Sequence, residues 1–386
     1  MDEQNIVIIG AGIGGLSAAL ALQKFGFQPK VYERASLLGE IGAGIMLTPN
    51  AVKALCFLGL ENALDHSAVE PVDSVYRRFD TAEEVLRSPL KDKMQAAYGA
   101  RYFHVHRADL HRNLVDAVLT QDPSAIHVDH EFERLEQAPN SIKAWFSNGT
   151  SIEADLLVGC DGIHSRVRGA LYGDENPRFT GQMAWRGMVP ANGLPKTVTE
   201  PVSVSWLGEH KHIIQYGVRD RQFINYVAIV ATEEWTEEGW NRPADVNEVV
   251  SAFDGWHADV LTLLKLTPKG NCYKWGLFDR DPLDRWTQGR VTLLGDAAHP
   301  MLPFMAQGSA MAIEDAVVLG RSLASHGLID TALVNYENER RERTSLIVQK
   351  SRQATNLYQR LTGDKSEQRE SDLDFLYGYD AATVSI

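Results

Sequence analysis

A glycine-rich turn near the amino terminus has the spacing of a phosphate-binding loop. Residues 10–15, Gly-Ala-Gly-Ile-Gly-Gly, match the pattern G-x-G-x-x-G between a predicted strand and a predicted helix. In such a turn Gly10 permits the bend, Gly12 lets the backbone approach a pyrophosphate, and Gly15 permits close packing of helix on strand. Glu33 ends the next predicted strand, where its carboxylate can accept hydrogen bonds from a ribose diol. The pattern predicts a dinucleotide site and leaves open which dinucleotide binds.

Two aspartates follow predicted buried strands later in the chain. Asp161 lies in the motif Gly-Cys-Asp-Gly-Ile-His, and Asp296 lies in Gly-Asp-Ala-Ala-His-Pro. Open α/β sheets bind their ligands at the carboxyl ends of the strands. One carboxylate there can accept two hydroxyl hydrogens from a polyhydroxylated chain such as ribityl. Either aspartate alone can instead be a helix N-cap.

A third motif, Met-Ala-Gln-Gly-Ser-Ala-Met-Ala-Ile-Glu-Asp, begins at Met305. Its residues Gln307, Gly308 and Ser309 stand at the predicted start of a helix. The free N–H groups of a helix start can stabilise negative charge on the N1–C2=O edge of a reduced flavin. Three motifs in this order, each after a strand, are hard to explain as helix caps. They favour FAD as the resident dinucleotide.

Strands and helices alternate at both ends of the chain and position these motifs. The uninterrupted β-branched run at residues 6–9 predicts a strand buried on both faces of a parallel sheet, and further strands are predicted at residues 30–33, 155–159 and 289–295. Between about 180 and 280 the strands become short and aromatic, with charged turns, which indicates an antiparallel sheet. Two helices are predicted near the end, at 309–325 and 330–361, and the aromatic tail from Phe375 to Tyr379 is predicted to dock on the protein.

The predicted fold class is therefore α/β. A Rossmann-like FAD-binding domain, residues 1–175 and 285–386, is interrupted by an antiparallel-sheet substrate-binding domain, residues 176–284, and ends in C-terminal helices.

Composition argues against several other classes of protein. The 386 residues carry 38 Lys and Arg against 51 Asp and Glu, a net charge of −13, which disfavours nucleic-acid binding. Cys56, Cys160 and Cys272 stand far apart without a CxxC motif, so neither structural zinc nor a disulfide framework is expected. The apolar run at residues 6–9 is far too short to span a bilayer. We expect a cytoplasmic monomer or homodimer with no metal, nucleic-acid or membrane partner.

The motifs together resemble those of the single-component flavoprotein aromatic hydroxylases, which share the p-hydroxybenzoate hydroxylase fold. GAGIGGLSAA, CDGIHSRVR and LLGDAAHP…MAQG…MAIEDA stand where that family has its FAD fingerprint, DG motif and GD motif. The resemblance covers nearly the whole chain. It is strongest to the salicylate, 3-hydroxybenzoate and 6-hydroxynicotinate hydroxylases.

The resemblance implies FAD bound non-covalently, with Glu33 on the adenosine ribose and Asp296 on the ribityl chain. It also assigns Arg107 to the cofactor and the backbone near Phe132 to the edge of the adenine. Arg34, which follows Glu33, is expected in the same site. Asp161 is expected to serve both FAD and NADH or NADPH, which would visit transiently because no second G-x-G-x-x-G follows a strand.

The implied chemistry transfers one oxygen atom from a flavin hydroperoxide to an aromatic ring. The transfer is easier to a phenolate, so a group is needed to take the phenol proton. His212 and Tyr216 lie four apart in a predicted strand and so share one face of the sheet. The spacing matches an H-x-x-x-Y of the related hydroxylases, which makes both residues catalytic candidates; the alternative is that both are half-buried sheet residues.

Other polar side chains divide into substrate candidates and structural ones. Arg186 can pair with a substrate carboxylate, whereas Arg219 is expected to be a surface residue. His299 is expected to be structural, or a neighbour of the flavin, rather than catalytic. His104, His106 and His111 alternate around Arg107 but lack a carboxylate partner for a metal.

Met46 and Phe304 are apolar where hydroxynicotinate hydroxylases and other relatives have polar residues. They favour a benzenoid acid over a pyridine. The sequence thus predicts an FAD-dependent monooxygenase that uses NAD(P)H and O₂ to hydroxylate a small phenolic aromatic acid of the salicylate or hydroxybenzoate type. Alternatives of the same fold are a hydroxylase of a hydroxypyridine or another aromatic, an epoxidase, a decarboxylative hydroxylase, a flavin oxidase, and a binding module without redox chemistry.

Overall fold

The computed structural model describes residues 4–39, 42–233, 235, 242–354 and 366–386, the stretch 366–371 by its backbone alone. Its strands are β1 (Ile6–Ile9), β2 (Lys30–Tyr32), β3 (Gly44–Leu47), β4 (Ala68–Val69), β5 (Asp73–Arg78), β6 (Glu84–Pro89), β7 (Phe103–His106), β8 (Ile126–His127), β9 (Phe132–Ala138), β10 (Ser141–Phe146), β11 (Ser151–Ala154), β12 (Leu156–Gly159), β13 (Arg178–Pro190), β14 (Ser203–Gly208), β15 (Lys211–Val218), β16 (Phe223–Ala231), β17 (Arg242–Pro243), β18 (Cys272–Asp279), β19 (Thr287–Gln288) and β20 (Val291–Leu293).

Its α-helices are α1 (Ile13–Lys24), α2 (Pro49–Phe57), α3 (Glu61–Ser67), α4 (Lys93–Tyr98), α5 (Arg107–Gln121), α6 (Arg166–Tyr172), α7 (Lys196–Thr199), α8 (Val246–Ala252), α9 (Ala258–Lys265), α10 (Gly308–Ser325), α11 (Ile329–Gln353) and α12 (Ser366–Tyr377). Two short 3₁₀ turns lie at Gly295–Ala297 and Pro303–Met305. Within these described residues, no helix combines the length and apolarity needed to cross a bilayer.

A six-stranded sheet in the order β19-β20-β12-β1-β2-β8 carries the predicted dinucleotide motifs. The pairs β1–β12, β1–β2 and β12–β20 are parallel. Every residue of β1 and β12 is buried, as expected of parallel strands with both faces covered. Helix α1 packs against both α10 and α5. The predicted strands at both ends of the chain, and with them the predicted α/β class, are confirmed.

The second large sheet has eight strands in the order β17-β18-β13-β16-β15-β14-β5-β6. One face packs on α8 and α9, where Trp206, Tyr226 and Phe253 are fully buried. The opposite face packs Ala184 and Ile229 against Leu302, which lies six residues after Asp296 in the segment that follows β20.

Strands β5 and β6, residues 73–89, belong to this sheet although they lie inside the range predicted for the cofactor domain. Strand β5 pairs in parallel with β14, and such a long-range pairing leaves no local signal in the sequence. The division at residues 175/176 and 284/285 stays a prediction, and it does not follow the sheet in this segment.

The C-terminal segment docks as predicted. Arg343 of α11 donates hydrogen bonds to the carbonyl oxygens of Phe375 (2.8 Å) and Leu376 (3.0 Å), and its guanidinium lies 4.0 Å from the centre of the Tyr379 ring. Helix α11 is observed to Gln353, and residues 355–361 of the predicted helix lie outside the described residues.

Candidate active site

A cleft of about 1110 Å³ runs along the carboxyl ends of the parallel strands. It is large enough for a dinucleotide rather than a small metabolite alone. Its wall contains residues predicted to bind the cofactor: Gly10, Gly12, Glu33, Arg34, Arg107, Phe132, Asp161 and Asp296. The structure therefore brings together side chains that are spread over nearly three hundred residues of sequence.

The glycines of the turn have different local reasons for being glycine. Gly10 has φ +103°, and a Cβ there would lie 2.6 Å from the carbonyl oxygen of Cys160. A Cβ on Gly15 would lie 1.9 Å from the carbonyl oxygen of Gly10, so the start of α1 touches the end of β1. Nothing lies within 4 Å of the Cβ position of Gly12. Gly10 and Gly15 are therefore required by packing, while Gly12 leaves open space beside the cleft.

Glu33 links the end of β2 to the glycine turn. Its carboxylate accepts hydrogen bonds from the N–H groups of Ala11 (2.8 Å) and Ala35 (2.9 Å). A carboxylate has about four acceptor positions, so capacity for a ribose hydroxyl remains. Arg34 is exposed at the same end of the cleft. The Phe132 carbonyl accepts a hydrogen bond from Arg166 (3.1 Å).

The two predicted aspartates are in different situations. The carboxylate of Asp161 accepts hydrogen bonds from the Ser165 hydroxyl (2.5 Å) and from the N–H groups of Arg166 (2.7 Å) and Val167 (3.1 Å). It therefore holds the start of α6 from outside the helix, whereas the N-cap residue itself is Ser165, whose hydroxyl accepts a hydrogen bond from the Arg168 N–H (2.9 Å). Burial raises the pKa of Asp161, and these hydrogen bonds oppose the rise.

Asp296 receives no hydrogen bond from the part of the chain that the structure describes. The cleft leaves its carboxylate accessible while protein surrounds it on the other sides. Desolvation raises the pKa of Asp296, and the charges of His299 and Arg107 partly offset the rise. A carboxylate that faces a cleft with its acceptor positions unused is suited to bind the hydroxyl groups of a ligand.

The turn before α10 is fixed by a buried polar network rather than by solvent contacts. The Gln307 side chain donates to the Thr48 hydroxyl (3.1 Å) and the Met305 carbonyl (3.2 Å), and it accepts from the Asn50 amide (3.0 Å). Gln307 is fully buried, so its side chain supports the turn and only its backbone can meet a ligand.

The residues that follow the turn open α10 and lie outside the cleft wall described above. Ala306 adopts φ +54°, the left-handed region, and Gly308 and Ser309 then begin the 18-residue helix. The first N–H groups of a helix have no partner within it.

The acidic residues of α10 are fully buried. Asp315 accepts hydrogen bonds from His299 Nε2 (2.6 Å), the Gly295 N–H (3.1 Å) and Arg340 Nε (2.8 Å). His299 thus has the structural role predicted for it. Glu314 accepts from Asn50 (2.6 Å) and pairs with Arg340 and Arg343. These contacts join the GD motif, α10 and the C-terminal segment.

His212 and Tyr216 lie in β15 on one face of the eight-stranded sheet, as predicted. In the strand register His212 is opposite Ile229 and Tyr216 is opposite Asn225. The face is the one on which Ile229 packs against Leu302, whose neighbours line the cleft. The His212 ring lies 5.7 Å from the ring of Phe304. Both side chains are therefore directed toward the cofactor side of the molecule.

Burial controls the protonation of this face. It lowers the pKa of His212 to about 4 and raises the pKa of Tyr216. At neutral pH the imidazole is therefore neutral and able to accept a proton, whereas the phenol keeps its proton and can relay one.

His104 touches this face, although no role was predicted for it from the sequence. The His104 ring centroid lies 4.4 Å from that of Tyr216, and burial lowers the pKa of His104 to about 3. His104 and His106 alternate along β7, and Tyr102 directly precedes the strand. This period of two in the residues before Arg107 was the available sequence signal.

The three substrate candidates are spread around the same face, and one of them is Phe304, beside the His212 ring. Arg186 is buried and lies opposite Val227, with its guanidinium 5.5 Å from the rings of both Tyr273 and Trp275. Met46 is half-buried, and its sulfur accepts a hydrogen bond from the Tyr102 hydroxyl (3.1 Å).

Arg219 is not the surface residue that we expected. It pairs with both carboxylate oxygens of Asp109 at 2.8 and 2.7 Å, because the β15–β16 turn brings it to the start of α5. That ion pair ties the strand of His212 and Tyr216 to the helix that begins at Arg107.

The buried histidines make stability depend on pH. His104 and His212 have folded pKa values of about 3 and about 4, below the ordinary 6.5. The unfolded chain therefore binds more protons below pH 6.5, and folding stability falls as pH falls from 6.5 toward 4. We expect each histidine to contribute about 1.4 kcal/mol of this loss per pH unit.

Urea unfolding at pH 7, 6 and 5 measures the effect. His104→Gln should flatten the dependence, and the exposed His66→Gln should leave it unchanged. An equally steep dependence in wild type and His104→Gln would contradict the assignment.

The residues of the cleft fit FAD. The glycine turn leaves room for a pyrophosphate at Gly12, and Glu33 has acceptor capacity at the ribose position. Asp296 presents unused acceptors to the cleft, where a ribityl chain would lie. Arg107 supplies positive charge beside it, which suits an anionic cofactor.

Comparison with known proteins agrees with this fit. The family model described as FAD binding domain matches residues 3–351. Among curated relatives, 3-amino-4-hydroxybenzoate 2-monooxygenase PtmB3 of Streptomyces platensis is 36% identical, covering 99% of this chain and 98% of its own length. The 6-hydroxynicotinate 3-monooxygenase of Bordetella bronchiseptica is 35% identical, covering 98% of this chain and 96% of its own length. The 3-hydroxybenzoate 6-hydroxylase 1 of Aquipseudomonas alcaligenes is 37% identical, covering 95% of this chain and 92% of its own length.

A solved structure extends the likeness to the fold with cofactor. HpxO of Klebsiella pneumoniae, in complex with FAD and uric acid, superposes with a TM-score of 0.83 at 28% identity, covering 98% of this chain and 94% of its own. The family predicted from the motifs is confirmed, and FAD is its cofactor. The chain belongs to the FAD-binding monooxygenases of aromatic compounds, the single-component flavoprotein hydroxylases.

Proposed function

We propose that this enzyme uses NADH or NADPH and O₂ to hydroxylate a small phenolic aromatic acid. FAD, when bound, accepts electrons from the nicotinamide and activates O₂ for transfer of one oxygen atom. The proposal rests on one observation above all: one face of the eight-stranded sheet carries a neutral buried imidazole, a buried phenol and a buried guanidinium. Such a face can hold an aromatic acid both by its hydroxyl group and by its carboxylate.

The proton of the substrate phenol is the first task of this face. His212 is neutral at physiological pH because burial lowers its pKa to about 4, so it can accept a proton. Tyr216 lies on the same face, four residues along β15, and its raised pKa keeps it protonated. We propose that Tyr216 contacts the substrate hydroxyl and that His212 receives the proton through intervening water, because four strand residues separate the two Cα atoms by about 13 Å. Deprotonation increases electron density at the ring carbons ortho and para to the oxygen.

Holding the substrate carboxylate is the second task, and we assign it to Arg186. The registers place Arg186 opposite Val227 and Val227 opposite Ile214, the residue between His212 and Tyr216. Two strand spacings, about 10 Å, thus separate β13, which carries Arg186, from β15, which carries His212 and Tyr216. A six-membered ring with a hydroxyl and a carboxylate can bridge such a gap through side chains. The rings of Tyr273 and Trp275 hold the guanidinium by cation–π contact.

The relatives support the substrate class. Their names specify an aminohydroxybenzoate, a hydroxynicotinate and a hydroxybenzoate, each a six-membered ring with a hydroxyl and a carboxylate. Met46 and Phe304 place a thioether and a phenyl ring beside the polar groups. We propose that they favour a benzenoid acid over a pyridine.

The test is a screen of monohydroxybenzoates and hydroxypyridines with FAD-loaded protein. A substrate should accelerate flavin reduction by NADH or NADPH, because a nucleotide without a dinucleotide fold of its own binds briefly and its use is gated by the aromatic. Product identification then gives the position of the new hydroxyl. Equal rates of flavin reduction with and without every aromatic acid would overturn the proposal.

Asp296 gives a prediction about the cofactor. Asp296→Ala removes a charged acceptor from the ribityl position, and such hydrogen bonds contribute about 1.5–3 kcal/mol. We expect FAD to bind about 10- to 150-fold more weakly, measured by titrating apoprotein with FAD. The exposed Asp116→Ala is the control. Full FAD occupancy in Asp296→Ala at wild-type affinity would contradict the placement.

Location and assembly follow as smaller proposals. All three cysteines are unpaired, which suits a reducing cytoplasm. We propose a cytoplasmic monomer or homodimer, and sedimentation of the FAD-loaded protein distinguishes the two.

A further inference from the structure

A buried histidine lies beside the proposed proton route without being part of it. His104 of β7 is 1% exposed, and its ring contacts that of Tyr216. No group in the described part of the chain forms a hydrogen bond with its Nε2. A buried polar nitrogen without a partner is costly and uncommon in folded proteins. A ligand or a water molecule can supply the missing hydrogen bond.

The neighbours of His104 explain why the chain itself supplies no partner. In the register His104 is directly opposite Met46 in β3 and Val69 in β4, and neither side chain has a polar hydrogen. The Met46 sulfur accepts a hydrogen bond from the Tyr102 hydroxyl. The Tyr216 ring packs on Gly44, where a Cβ would lie 2.6 Å from it.

The charge state of His104 limits which ligand group it can recognise. Burial keeps its pKa far below neutral, so the imidazole is uncharged in the folded enzyme. It cannot form an ion pair with the substrate carboxylate, a task assigned to Arg186. A neutral imidazole nitrogen suits a hydroxyl or amino group, which can both donate and accept a hydrogen bond.

We propose that His104 is a specificity-determining residue whose Nε2 hydrogen-bonds a second polar substituent, a hydroxyl or amino group, on the aromatic ring of the substrate. The inference rests on the proposed function, because it takes the phenol to lie at Tyr216. With the two rings 4.4 Å apart, the second substituent is adjacent to the phenol. The substrate class is thereby narrowed to phenolic acids with a neighbouring hydroxyl or amino group.

Binding of matched acids to the FAD-loaded protein tests this without turnover. On the 4-hydroxybenzoate scaffold the substituents at position 3 are amino, hydroxyl and methyl; on the salicylate scaffold the same three are used at position 3. Dissociation constants come from the change in flavin absorbance. Wild type should bind the amino or hydroxyl compound at least about ten-fold more tightly than the methyl compound.

Variants locate the source of that preference. His104→Phe should bring the ratio close to one with the unsubstituted parent acid still bound, and His104→Gln should keep part of the preference. His257→Phe is the matched control, because His257 stacks on Trp206 against the opposite face of the sheet. It should retain the wild-type ratio.

Each remaining outcome overturns a defined statement. A wild type that binds a parent acid but does not distinguish amino from methyl refutes the role of His104 and leaves the proposed function standing. A His104→Phe variant that keeps the full preference does the same, since the nitrogen is then satisfied by solvent. Failure of every parent acid to bind refutes the proposed function, and the inference with it.

Discussion

Replacing Glu314 with alanine is expected to lower the free energy of unfolding by about 3–5 kcal/mol, the usual cost of removing one partner from a buried ion pair. Glu314 is fully buried in α10 and lies 2.7 Å from Arg340 and 2.9 Å from Arg343. Its removal leaves two guanidinium groups with fewer partners. Arg340 keeps Asp315, and Arg343 keeps the two carbonyl oxygens of the C-terminal segment.

The same substitution should also weaken FAD binding. Glu314 orients the Asn50 amide (2.6 Å), and that amide donates to Gln307 (3.0 Å). Gln307 fixes the turn whose backbone begins α10. Without Glu314 the turn loses one of the constraints on its geometry. The N–H donors at the start of α10 are then less well preorganised to bind the cofactor.

Urea unfolding of the FAD-saturated protein and FAD titration of apoprotein measure the two effects. Glu314→Gln keeps the shape and removes the charge, so it separates packing from ion pairing. The control is Glu136→Ala, which removes a pair between exposed side chains, Glu136 and Arg134; such surface pairs contribute about 0–1 kcal/mol. Equal stability of Glu314→Ala and Glu136→Ala would contradict the importance of the buried network.

Local sequence signals were enough to predict the parts of the fold that depend on backbone geometry. Gly10 and Gly15 could be interpreted from spacing alone, since the close approach between strand and helix admits no Cβ. The same holds for the face shared by His212 and Tyr216, because four residues along a strand return to one side. These features are set within a few residues of the chain.

Features that depend on distant partners could not be predicted in this way. The sequence placed Asp161 and Asp296 in equivalent motifs, yet the first holds the start of α6 and the second faces the cleft with no such partner. That difference is set by which N–H groups lie near each carboxylate. Likewise, Arg219 gave no sign of Asp109, which lies 110 residues earlier and meets it only after the sheet has formed.

The position of His104 was hidden for a related reason. Its Nε2 matters because no hydrogen-bond partner from the described residues lies beside it. The neighbours that it does have, Met46, Val69 and the Tyr216 ring, come from three separate strands. Met46 and Phe304 together had predicted an apolar pocket. The register shows that His104 lies directly opposite Met46. One strand pair therefore presents an apolar and a polar side chain at the same level.

Loss of His212, the proposed proton acceptor, should give the largest change in catalysis. In His212→Ala the phenol must ionise without help, and removal of a general base slows the assisted step by roughly 10²–10⁴-fold. Tyr216→Phe should slow the same step by interrupting the relay. FAD content should not change, because neither residue lines the cofactor cleft.

The expected signature is uncoupling. NADH or NADPH is still consumed and O₂ is still reduced, but H₂O₂ rises while hydroxylated product falls. Stopped-flow measurement of the hydroxylation step, with peroxide and product assays, gives all three quantities. The control is His210→Asn, an exposed histidine in the turn before β15 with φ +56°, a backbone region that Asn tolerates.

The dependence on the substrate separates a base from a packing residue. A more acidic phenol needs less help to ionise, so the defect of His212→Ala should shrink as electron-withdrawing substituents lower the phenol pKa. In wild type, His212 stays neutral above about pH 4, so hydroxylation should show no break near the ordinary histidine value of 6.5. If His212→Ala and Tyr216→Phe both remain tightly coupled at wild-type rates, the two residues only pack the sheet. A defect that is equal for acidic and weakly acidic phenols would likewise exclude His212 as the base.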